Sequence, residues 1–315
     1  MSIPSTTRAV WIDRFGGPEV IHVETVPIPP LAPDEMLVQM QVASINPVDW
    51  KTAEGEYPPM GADKLPFGLG RDLSGTVAAV GDAVAQAVGD RVCAFIGNER
   101  GAQSDYVVVK ASEVAVVPEG VELTVAGAVP LAAMTAWQGL FDHGGLTKGQ
   151  RVLIHGGAGG VGHLAVQFAR WAGATVYATA SKRDLGFVRE LGADTVIDYE
   201  NDRFEDIATD LDVVLDTQGG ETQERSFGTL SKGGILVSTL EPDGNKAAEM
   251  GVRTVPRWHA EPNGEQLAQV LALIGAGEVA VTIAKTFPLD AVRDAQAFAQ
   301  HDHPRGKVIL NNNKG

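Results

Sequence analysis

The sequence contains little cysteine, few aromatic residues and no excess of positive charge. Cys93 is its only cysteine, so neither a disulfide within the chain nor a cysteine-based zinc cage can form. Cys93 lies in the apolar run 90–95, where we expect a buried small side chain rather than a nucleophile. The formal net charge of -15 would repel a phosphate backbone, and we therefore expect no nucleic-acid partner.

Long apolar runs are also missing from the sequence. No stretch of about eighteen apolar residues occurs, and the start of the chain has no basic segment followed by an apolar one. We therefore expect neither secretion nor membrane association, and a cytoplasmic location. The length of 315 residues and the 44% hydrophobic content predict about two folded domains.

Short strand-like runs separated by Pro and Gly fill the chain up to about residue 123. They lie at 9–12, 36–44, 75–80, 91–96 and 105–109. Helical periodicity is nearly absent before Thr124. This part is therefore predicted to be a mostly β domain.

From residue 151 onward, strands and helices alternate. The predicted strands are 151–155, 175–180, 195–198, 212–216, 235–239 and 252–256, and the predicted helices are 161–171, 183–191 and 222–230. This α/β pattern predicts a doubly wound parallel sheet. Later elements at 265–274, 282–286, 290–299 and 307–310 exceed what that sheet needs. We therefore predict one domain at 124–279 and another formed by 1–123 with 280–315.

A glycine-rich turn follows the first strand of this sheet and begins a helix. Gly157, Gly159 and Gly162 have the G-x-G-x-x-G spacing of dinucleotide-binding turns. Glycine permits a tight turn and a close approach of the backbone to pyrophosphate, and the helix N-terminus offers N–H groups to the anion. The segment Gly157-Ala158-Gly159-Gly160-Val161-Gly162 is thus predicted to bind a dinucleotide. A purely structural glycine loop is the alternative.

The end of the second strand predicts which dinucleotide is bound. An Asp or Glu would bind the ribose 2′-hydroxyl of NAD there, but the sequence has Ser181, Lys182 and Arg183. A hydroxyl and two cations suit a 2′-phosphate, so we predict NADPH with these three residues as phosphate ligands. Two observations oppose this: Asp184 follows closely, and Lys182 and Arg183 could belong to a solvated helix start.

Several further motifs occur in order along almost the whole chain. They are Asn46-Pro47-Val48-Asp49, Gly70-Arg71-Asp72-Leu73-Ser74-Gly75, Gly89-Asp90-Arg91-Val92, Thr135-Ala136-Trp137, Gly192-Ala193-Asp194 and Gly306-Lys307-Val308-Ile309-Leu310. With the glycine turn, they resemble the zinc-independent medium-chain dehydrogenases/reductases of the quinone oxidoreductase group, related to zeta-crystallin. The resemblance implies a Rossmann domain with a mostly β, GroES-like catalytic domain, and a homodimer or homotetramer.

The resemblance also bears on metal binding. Zinc-dependent alcohol dehydrogenases of that superfamily have a Cys at the position that looks equivalent to Asn46, and Gly-His-Glu where this chain has Gly70-Arg71-Asp72. Neither metal ligand is present, and the cysteines of the structural zinc lobe are missing. We therefore predict no metal site.

The resemblance implies catalytic roles for four residues. Asn46 and Asp49 would shape the nicotinamide and substrate end, and Tyr57 looks like the active-site tyrosine of the family. Lys51 replaces an aromatic residue that is often found there. The alternatives are structural: Asn46 and its proline only form a turn, Asp49 only caps a local helix, and Tyr57 only packs.

On the cofactor side, the resemblance implies that Thr135 contacts the nicotinamide and Tyr199 the adenosine phosphate. We also expect Thr217, which follows the fourth strand, to bind the cofactor. Quinones and conjugated enones accept hydride without a Lewis acid when donors stabilise their oxygen. The predicted function is therefore NADPH-dependent reduction of a quinone or an α,β-unsaturated carbonyl compound. The alternative is a non-catalytic NADPH-binding redox sensor or structural protein.

Overall fold

The computed structural model describes residues 4–312, which divide into two compact units. The first unit contains the N-terminal part of the chain up to Leu131 together with 261–276 and 283 onward, and the second contains 132–260 and 277–282. The strands are β1 (Thr6–Ile12), β2 (His22–Pro27), β3 (Glu35–Ile45), β4 (Phe67–Gly68), β5 (Asp72–Val80), β6 (Arg91–Phe95), β7 (Tyr106–Lys110), β8 (Val114–Val116), β9 (Arg151–Ile154), β10 (Thr175–Ala180), β11 (Thr195–Asp198), β12 (Leu211–Asp216), β13 (Leu230–Ser238), β14 (Arg253–Thr254), β15 (Ile283–Pro288) and β16 (Lys307–Asn311). The α-helices are α1 (Pro47–Glu54), α2 (Leu123–Ala128), α3 (Pro130–Trp137), α4 (Gly162–Trp171), α5 (Leu185–Glu190), α6 (Phe204–Ile207), α7 (Gly220–Ser226), α8 (Gly244–Glu249), α9 (Gly264–Gly275) and α10 (Val292–His301).

The first unit is built on two sheets. A three-stranded sheet has the order β2-β1-β4, and a seven-stranded sheet has the order β15-β16-β3-β5-β6-β8 with β7 paired to β3. The long strand β3 pairs with β7 through its first half and with β16 through its second half. The C-terminal strand thus completes the first unit, as expected from the surplus elements at the end of the chain.

The second unit has one parallel sheet of six strands in the order β11-β10-β9-β12-β13-β14. Numbered within the unit, this order is 3-2-1-4-5-6, the doubly wound Rossmann arrangement predicted from the alternating pattern. Leu153, Val214 and Leu236 on its central strands are fully buried, as expected when helices cover both faces of a parallel sheet.

Two local features differ from the sequence reading. Helix α1 lies in a region where almost no helical periodicity is present, because it is only eight residues long and begins at an Asn-Pro start rather than an apolar stripe. Helix α9 belongs to the first unit rather than to the predicted domain at 124–279, because it packs on β6 and β8. A Cβ on Gly264 would lie only 2.4 Å from the carbonyl oxygen of Val114, so glycine permits this close packing.

Within residues 4–312, no helix has both the length and the apolar character needed to cross a bilayer.

Candidate active site

The glycine turn lies between β9 and α4 in the second unit. Gly156 has a φ of 67°, and a Cβ on Gly162 would lie 2.1 Å from the carbonyl oxygen of Gly156. A Cβ on Gly157 would lie 3.0 Å from Val188 Cγ1. Gly159, Gly160 and Val161 are partly exposed just before α4, whereas Ala158 is buried. Only glycine fits at these tight positions. The turn lies directly before the N-terminus of α4 and contains partly exposed residues, so it fits a dinucleotide pyrophosphate.

His155 is linked to this turn by hydrogen bonds through the Thr179 hydroxyl. The Ser226 hydroxyl donates to the Thr222 carbonyl oxygen at 2.6 Å, so it accepts from His155 Nε2 at 2.8 Å. His155 Nδ1 then accepts from the Thr179 hydroxyl at 3.3 Å, and the same hydroxyl oxygen accepts from Gly156 N at 3.0 Å. Burial lowers the His155 pKa to about 4, which keeps the ring neutral. The residue is therefore a hydrogen-bonded histidine at the end of β9.

The predicted phosphate ligands follow β10. Ser181 Oγ donates to Asp184 Oδ2 at 2.8 Å, and Arg183 Nε donates to the same oxygen at 3.3 Å. Asp184 is buried, while Lys182 and Arg183 are exposed. Asp184, the acid that opposed the NADPH prediction, thus accepts hydrogen bonds from its own neighbours. These bonds fix the Ser181 and Arg183 side chains beside the end of β10.

The other predicted cofactor residues lie on neighbouring elements of the second unit. Tyr199 N donates to the Ala180 carbonyl oxygen at 3.2 Å, which brings Tyr199 next to Ser181, and its side chain is 56% exposed. Thr217 directly follows β12 and is half-buried. The turn, Ser181, Tyr199 and Thr217 therefore occupy the carboxyl ends of four adjacent strands, where Rossmann sheets bind ligands. Thr135 is buried on α3.

In the first unit, Asn46 begins α1 and is fully engaged in hydrogen bonds. Its Nδ2 donates to Ser44 Oγ and to Asp72 Oδ1, each at 3.1 Å, and its Oδ1 accepts from Lys307 Nζ. Asp49 Oδ2 accepts from Asn46 N at 2.8 Å, completing a capping box. Both structural alternatives, the Asn-Pro turn and the cap by Asp49, are thus present in the fold.

Four ionisable side chains are buried around this helix start. Asp49 and Asp72 are 1% and 0% exposed, Arg71 is 6% exposed and Lys307 is 3% exposed. Lys307 Nζ donates to the Ile45 carbonyl oxygen at 3.1 Å. Burial lowers the pKa of Lys307 and of Arg71, and the nearby carboxylates Asp72 and Asp49 oppose both shifts. Two acids and two bases therefore share one buried cluster.

The pKa of Asp49 is raised within this cluster. Burial raises its pKa to about 7; the hydrogen bond from Asn46 lowers it, the charge of Asp72 raises it, and Arg71 and Lys307 lower it. Oδ2 also accepts from Gln103 Nε2 at 3.2 Å, whereas Oδ1 has no hydrogen-bond partner among the described residues.

Tyr57 lies beside this cluster in the loop after α1. Its hydroxyl donates to Asn98 Oδ1 at 3.1 Å, and Arg71 Nη2 approaches the hydroxyl oxygen at 3.5 Å. The Arg71 guanidinium also lies over the ring, 5.5 Å from its centroid. Lys51, the fourth predicted catalytic residue, is half-buried in the last turn of α1. The structure therefore brings Asn46, Asp49 and Tyr57 to one cluster and leaves Lys51 on the helix that borders it.

This cluster does not fit zinc. The two positions that correspond to metal ligands in zinc-dependent relatives carry the Asn46 amide and the Arg71 guanidinium, and the Lys307 ammonium group is hydrogen-bonded to that amide. Zinc requires thiolate, imidazole or carboxylate donors without competing cations. Within residues 4–312, the one group of three or more His, Cys, Asp or Glu with converging ligand atoms is Asp13, His22 and Glu24, at the β1–β2 hairpin.

Sequence reasoning missed Lys307 and Gln103. The motif that contains Lys307 did not by itself indicate a role for this residue. A lysine that begins an otherwise apolar strand is nevertheless a signal of a buried, paired cation. Gln103 has no such signal, because its contact with Asp49 joins positions 54 residues apart.

Comparison with known proteins places these two sites in a family. The family model described as an alcohol dehydrogenase GroES-like domain matches residues 32–119, and the one described as a zinc-binding dehydrogenase matches 191–310. The "NAD(P)H oxidoreductase RTN4IP1, mitochondrial" of Mus musculus is 32% identical over 98% of this chain and 90% of its own length. The "NADPH-dependent alkenal/one oxidoreductase, chloroplastic" of Arabidopsis thaliana is 31% identical over 98% and 80%. The solved quinone oxidoreductase from Coxiella burnetii has a TM-score of 0.86 and 32% identity, covering 97% of this chain and 99% of that one.

The chain belongs to the quinone oxidoreductase group of the medium-chain dehydrogenases/reductases. This confirms the resemblance inferred from the motifs. The first unit of this medium-chain reductase contains the GroES-like domain, and the second unit is its Rossmann domain. Although one matched description names zinc, the position of a zinc ligand is occupied here by the Asn46 amide, which accepts from the Lys307 ammonium group.

Proposed function

We propose that this medium-chain reductase uses NADPH to reduce a quinone or an α,β-unsaturated carbonyl compound by hydride transfer, without zinc. One observation carries the proposal. The glycine turn has no room for a Cβ at Gly162, and the neighbouring strand end presents Ser181, Lys182 and Arg183 where an NAD-binding acid would lie. The names of the plant alkenal/one reductase and the bacterial quinone oxidoreductase support the same substrate classes.

The chain's own residues supply the cofactor contacts of this proposal. The amides at the start of α4 would hold the pyrophosphate, because a helix N-terminus offers N–H groups and its dipole favours an anion. The exposed Lys182 and Arg183 would hold the 2′-phosphate, and Ser181 would join them by turning its hydroxyl hydrogen from Asp184 to the phosphate. Bound NADPH supplies the hydride.

The chemistry of the acceptor follows from the first unit. A carbonyl oxygen that gains negative charge needs hydrogen-bond donors. Tyr57 and Arg71 line the cavity beside Asp49, and the Tyr57 hydroxyl would turn from Asn98 to an acceptor oxygen, whereas both amide hydrogens of Asn46 are held by the buried Ser44 and Asp72. We therefore assign oxyanion stabilisation to Tyr57 and Arg71 and a structural role to Asn46. Simple alcohols fit poorly, because their oxidation needs a strong base or a metal-bound alkoxide.

Absorbance of NADPH and NADH, followed with a panel of quinones and short-chain enones, tests the proposal. We expect turnover that favours NADPH and is insensitive to a chelator. The double variant Lys182→Ala/Arg183→Ala should raise KM for NADPH by about 10-fold or more and leave KM for NADH nearly unchanged, because each charge-assisted phosphate contact contributes about 1 kcal/mol or more.

Lys232→Ala is the matched control, since Lys232 is an exposed cation on β13 of the same unit. Binding of NADPH without oxidation by any acceptor would favour the redox-sensor alternative. A preference for NADH would contradict the phosphate assignment alone.

The homodimeric or homotetrameric state and the cytoplasmic location are further proposals. Light scattering coupled to size exclusion tests the first, and a monomer would contradict it.

A further inference from the structure

The two carboxylate oxygens of Asp49 have different surroundings. Oδ2 accepts from Asn46 N at 2.8 Å and from Gln103 Nε2 at 3.2 Å, so it is held by two donors. Oδ1 is buried and has no hydrogen-bond partner within residues 4–312. A buried carboxylate oxygen without a donor is costly, whereas a protonated oxygen there is itself a donor. The cap of α1 uses only Oδ2 of Asp49.

Asp49 lines a small cavity within the first unit. Tyr57, Arg71 and Asn98 line the same cavity, together with apolar side chains of which Phe67 is one. Its volume of about 10 Å³ is room for about one water molecule. A quinone ring does not fit in this space, so Asp49 can act on an acceptor only through a smaller carrier.

The charged groups around Asp49 come from several elements. Asp72 begins β5, Arg71 directly precedes it, and Lys307 begins β16; Tyr57 faces the cavity from the loop after α1. Asp72 favours a proton on Asp49, and the two cations oppose it. Burial outweighs them, so the Asp49 pKa of about 7 leaves the group able both to hold and to release a proton at neutral pH.

We propose that Asp49 is the proton reservoir of the reduction, holding a proton on Oδ1 and passing it through one water in the cavity and the Tyr57 hydroxyl to the acceptor oxygen. The inference rests on the proposed function. The Asp49 O–H bond breaks as the water gains that proton; the water gives another proton to Tyr57 as the Tyr57 O–H proton moves to the oxyanion formed by hydride addition. Asp49 ends as a carboxylate and regains a proton from solvent.

A matched pair of quinones isolates this step. Duroquinone yields a basic hydroquinone anion that must be protonated, whereas the hydroquinone anion of tetrachlorobenzoquinone is stable in water. We expect kcat for duroquinone to fall as pH rises through about 7, because Asp49 then loses its proton. Asp49→Asn keeps an oxygen for the Asn46 cap; it should lower kcat below that pH by about 100-fold and abolish the pH dependence. Turnover of tetrachlorobenzoquinone should change less than about 3-fold.

Two further variants test whether Tyr57 carries the proton. Tyr57→Phe leaves the cap intact and should slow duroquinone reduction to a similar extent, and the double variant should be no slower than either single variant. Asp63→Asn applies the same substitution to an exposed residue before β4 and should behave as wild type. An Asp49→Asn variant with the wild-type pH profile, or one equally slow with both quinones, would overturn the relay.

A measurement without turnover separates this inference from the proposed function. Difference infrared spectroscopy should detect the carbonyl stretch of a protonated carboxyl group in the wild type just below neutral pH, and Asp49→Asn should lack it. Absence of that band overturns the reservoir even if NADPH is oxidised. If the band is present but no acceptor oxidises NADPH, the proposed function is wrong, and so is proton delivery to an acceptor. The protonated state of Asp49 would still be supported.

Discussion

Two buried aspartates, one in each unit of the molecule, have opposite surroundings. In the second unit Asp216 is fully buried and surrounded by neutral donors: Gln218 N and Gly219 N on Oδ1, and Gln223 Nε2 and the Ser238 hydroxyl on Oδ2. In the first unit Asp49 is equally buried, but one of its oxygens has no donor among the described residues. Full satisfaction holds the carboxyl oxygens and the loop that surrounds them in place, whereas Asp49, with one oxygen left without a donor, can change its protonation state.

The cations differ between the units as well. Lys307 and Arg71 lie inside the first unit beside Asp49 and Asp72. In the second unit, Lys182 and Arg183 are exposed at a strand end. We infer that the first unit uses buried charge to control a proton, and the second uses exposed charge to attract a phosphate.

Removal of the buried cation should have the largest effect on stability. Lys307→Met leaves the Asn46 oxygen without its donor and removes a buried positive charge near Asp72 and Asp49, so we expect the free energy of unfolding to fall by about 3–5 kcal/mol in urea titrations. Lys285→Met on the neighbouring strand β15 replaces an exposed lysine and should cost about 1 kcal/mol or less. Equal effects of the two variants would show that the cluster holds no essential charge.

A change at the glycine turn should affect binding in the second unit. The added Cβ of Gly162→Ala would overlap the Gly156 carbonyl oxygen, which must move and distort the anion-binding amides. We expect NADPH affinity, measured by fluorescence titration, to fall by about 100-fold, or about 3 kcal/mol.

Gly186→Ala on α5 is the matched control, since nothing lies within 4 Å of its added Cβ, and it should leave affinity unchanged. Normal NADPH binding by Gly162→Ala would contradict the placement of the pyrophosphate.

The smallest effects should appear in the dependence of stability on pH. The pKa of Asp49 is raised from 3.8 to about 7 by folding, so its contribution to stability is present at low pH and is lost as pH rises through that range. The pKa of His155 is lowered from 6.5 to about 4, so its contribution is present above about pH 6.5 and is lost as pH falls towards 4.

Asp49→Asn should therefore make stability rise more steeply between about pH 4 and pH 7, and His155→Gln should make it rise less steeply between about pH 4 and pH 6.5. Melting temperatures across this range measure both slopes. If the slope of stability against pH changed in the same direction in both variants, the contrast between Asp49 and His155 would be refuted.

The Rossmann unit and its turn were predictable because they depend on local signals. Apolar runs alternating with helices identified β9 to β13, and the glycine spacing located the start of α4. Tyr199 was known only from the resemblance, since its position beside Ser181 results from strand pairing.

The buried cluster of the first unit could not be predicted in this way. Lys307 meets Asn46 across 261 positions of sequence. Gln103 donates to Asp49, and its own backbone is hydrogen-bonded to Val10 of β1 and to Leu69. Whether a carboxyl group is satisfied depends on such distant contacts. The residue type of Asp49 was readable from the motif, but its unpartnered oxygen and raised pKa were not.

Isotope transfer tests the central claim, hydride transfer from NADPH to the acceptor, most directly. NADPH carrying deuterium at the transferred position of nicotinamide C4 would be incubated with the protein and a short-chain enone, and the product analysed by mass spectrometry. The account predicts a saturated ketone with one deuterium at the β-carbon. A reduced product without deuterium, or NADPH that binds and is never consumed by any enone or quinone, would contradict it.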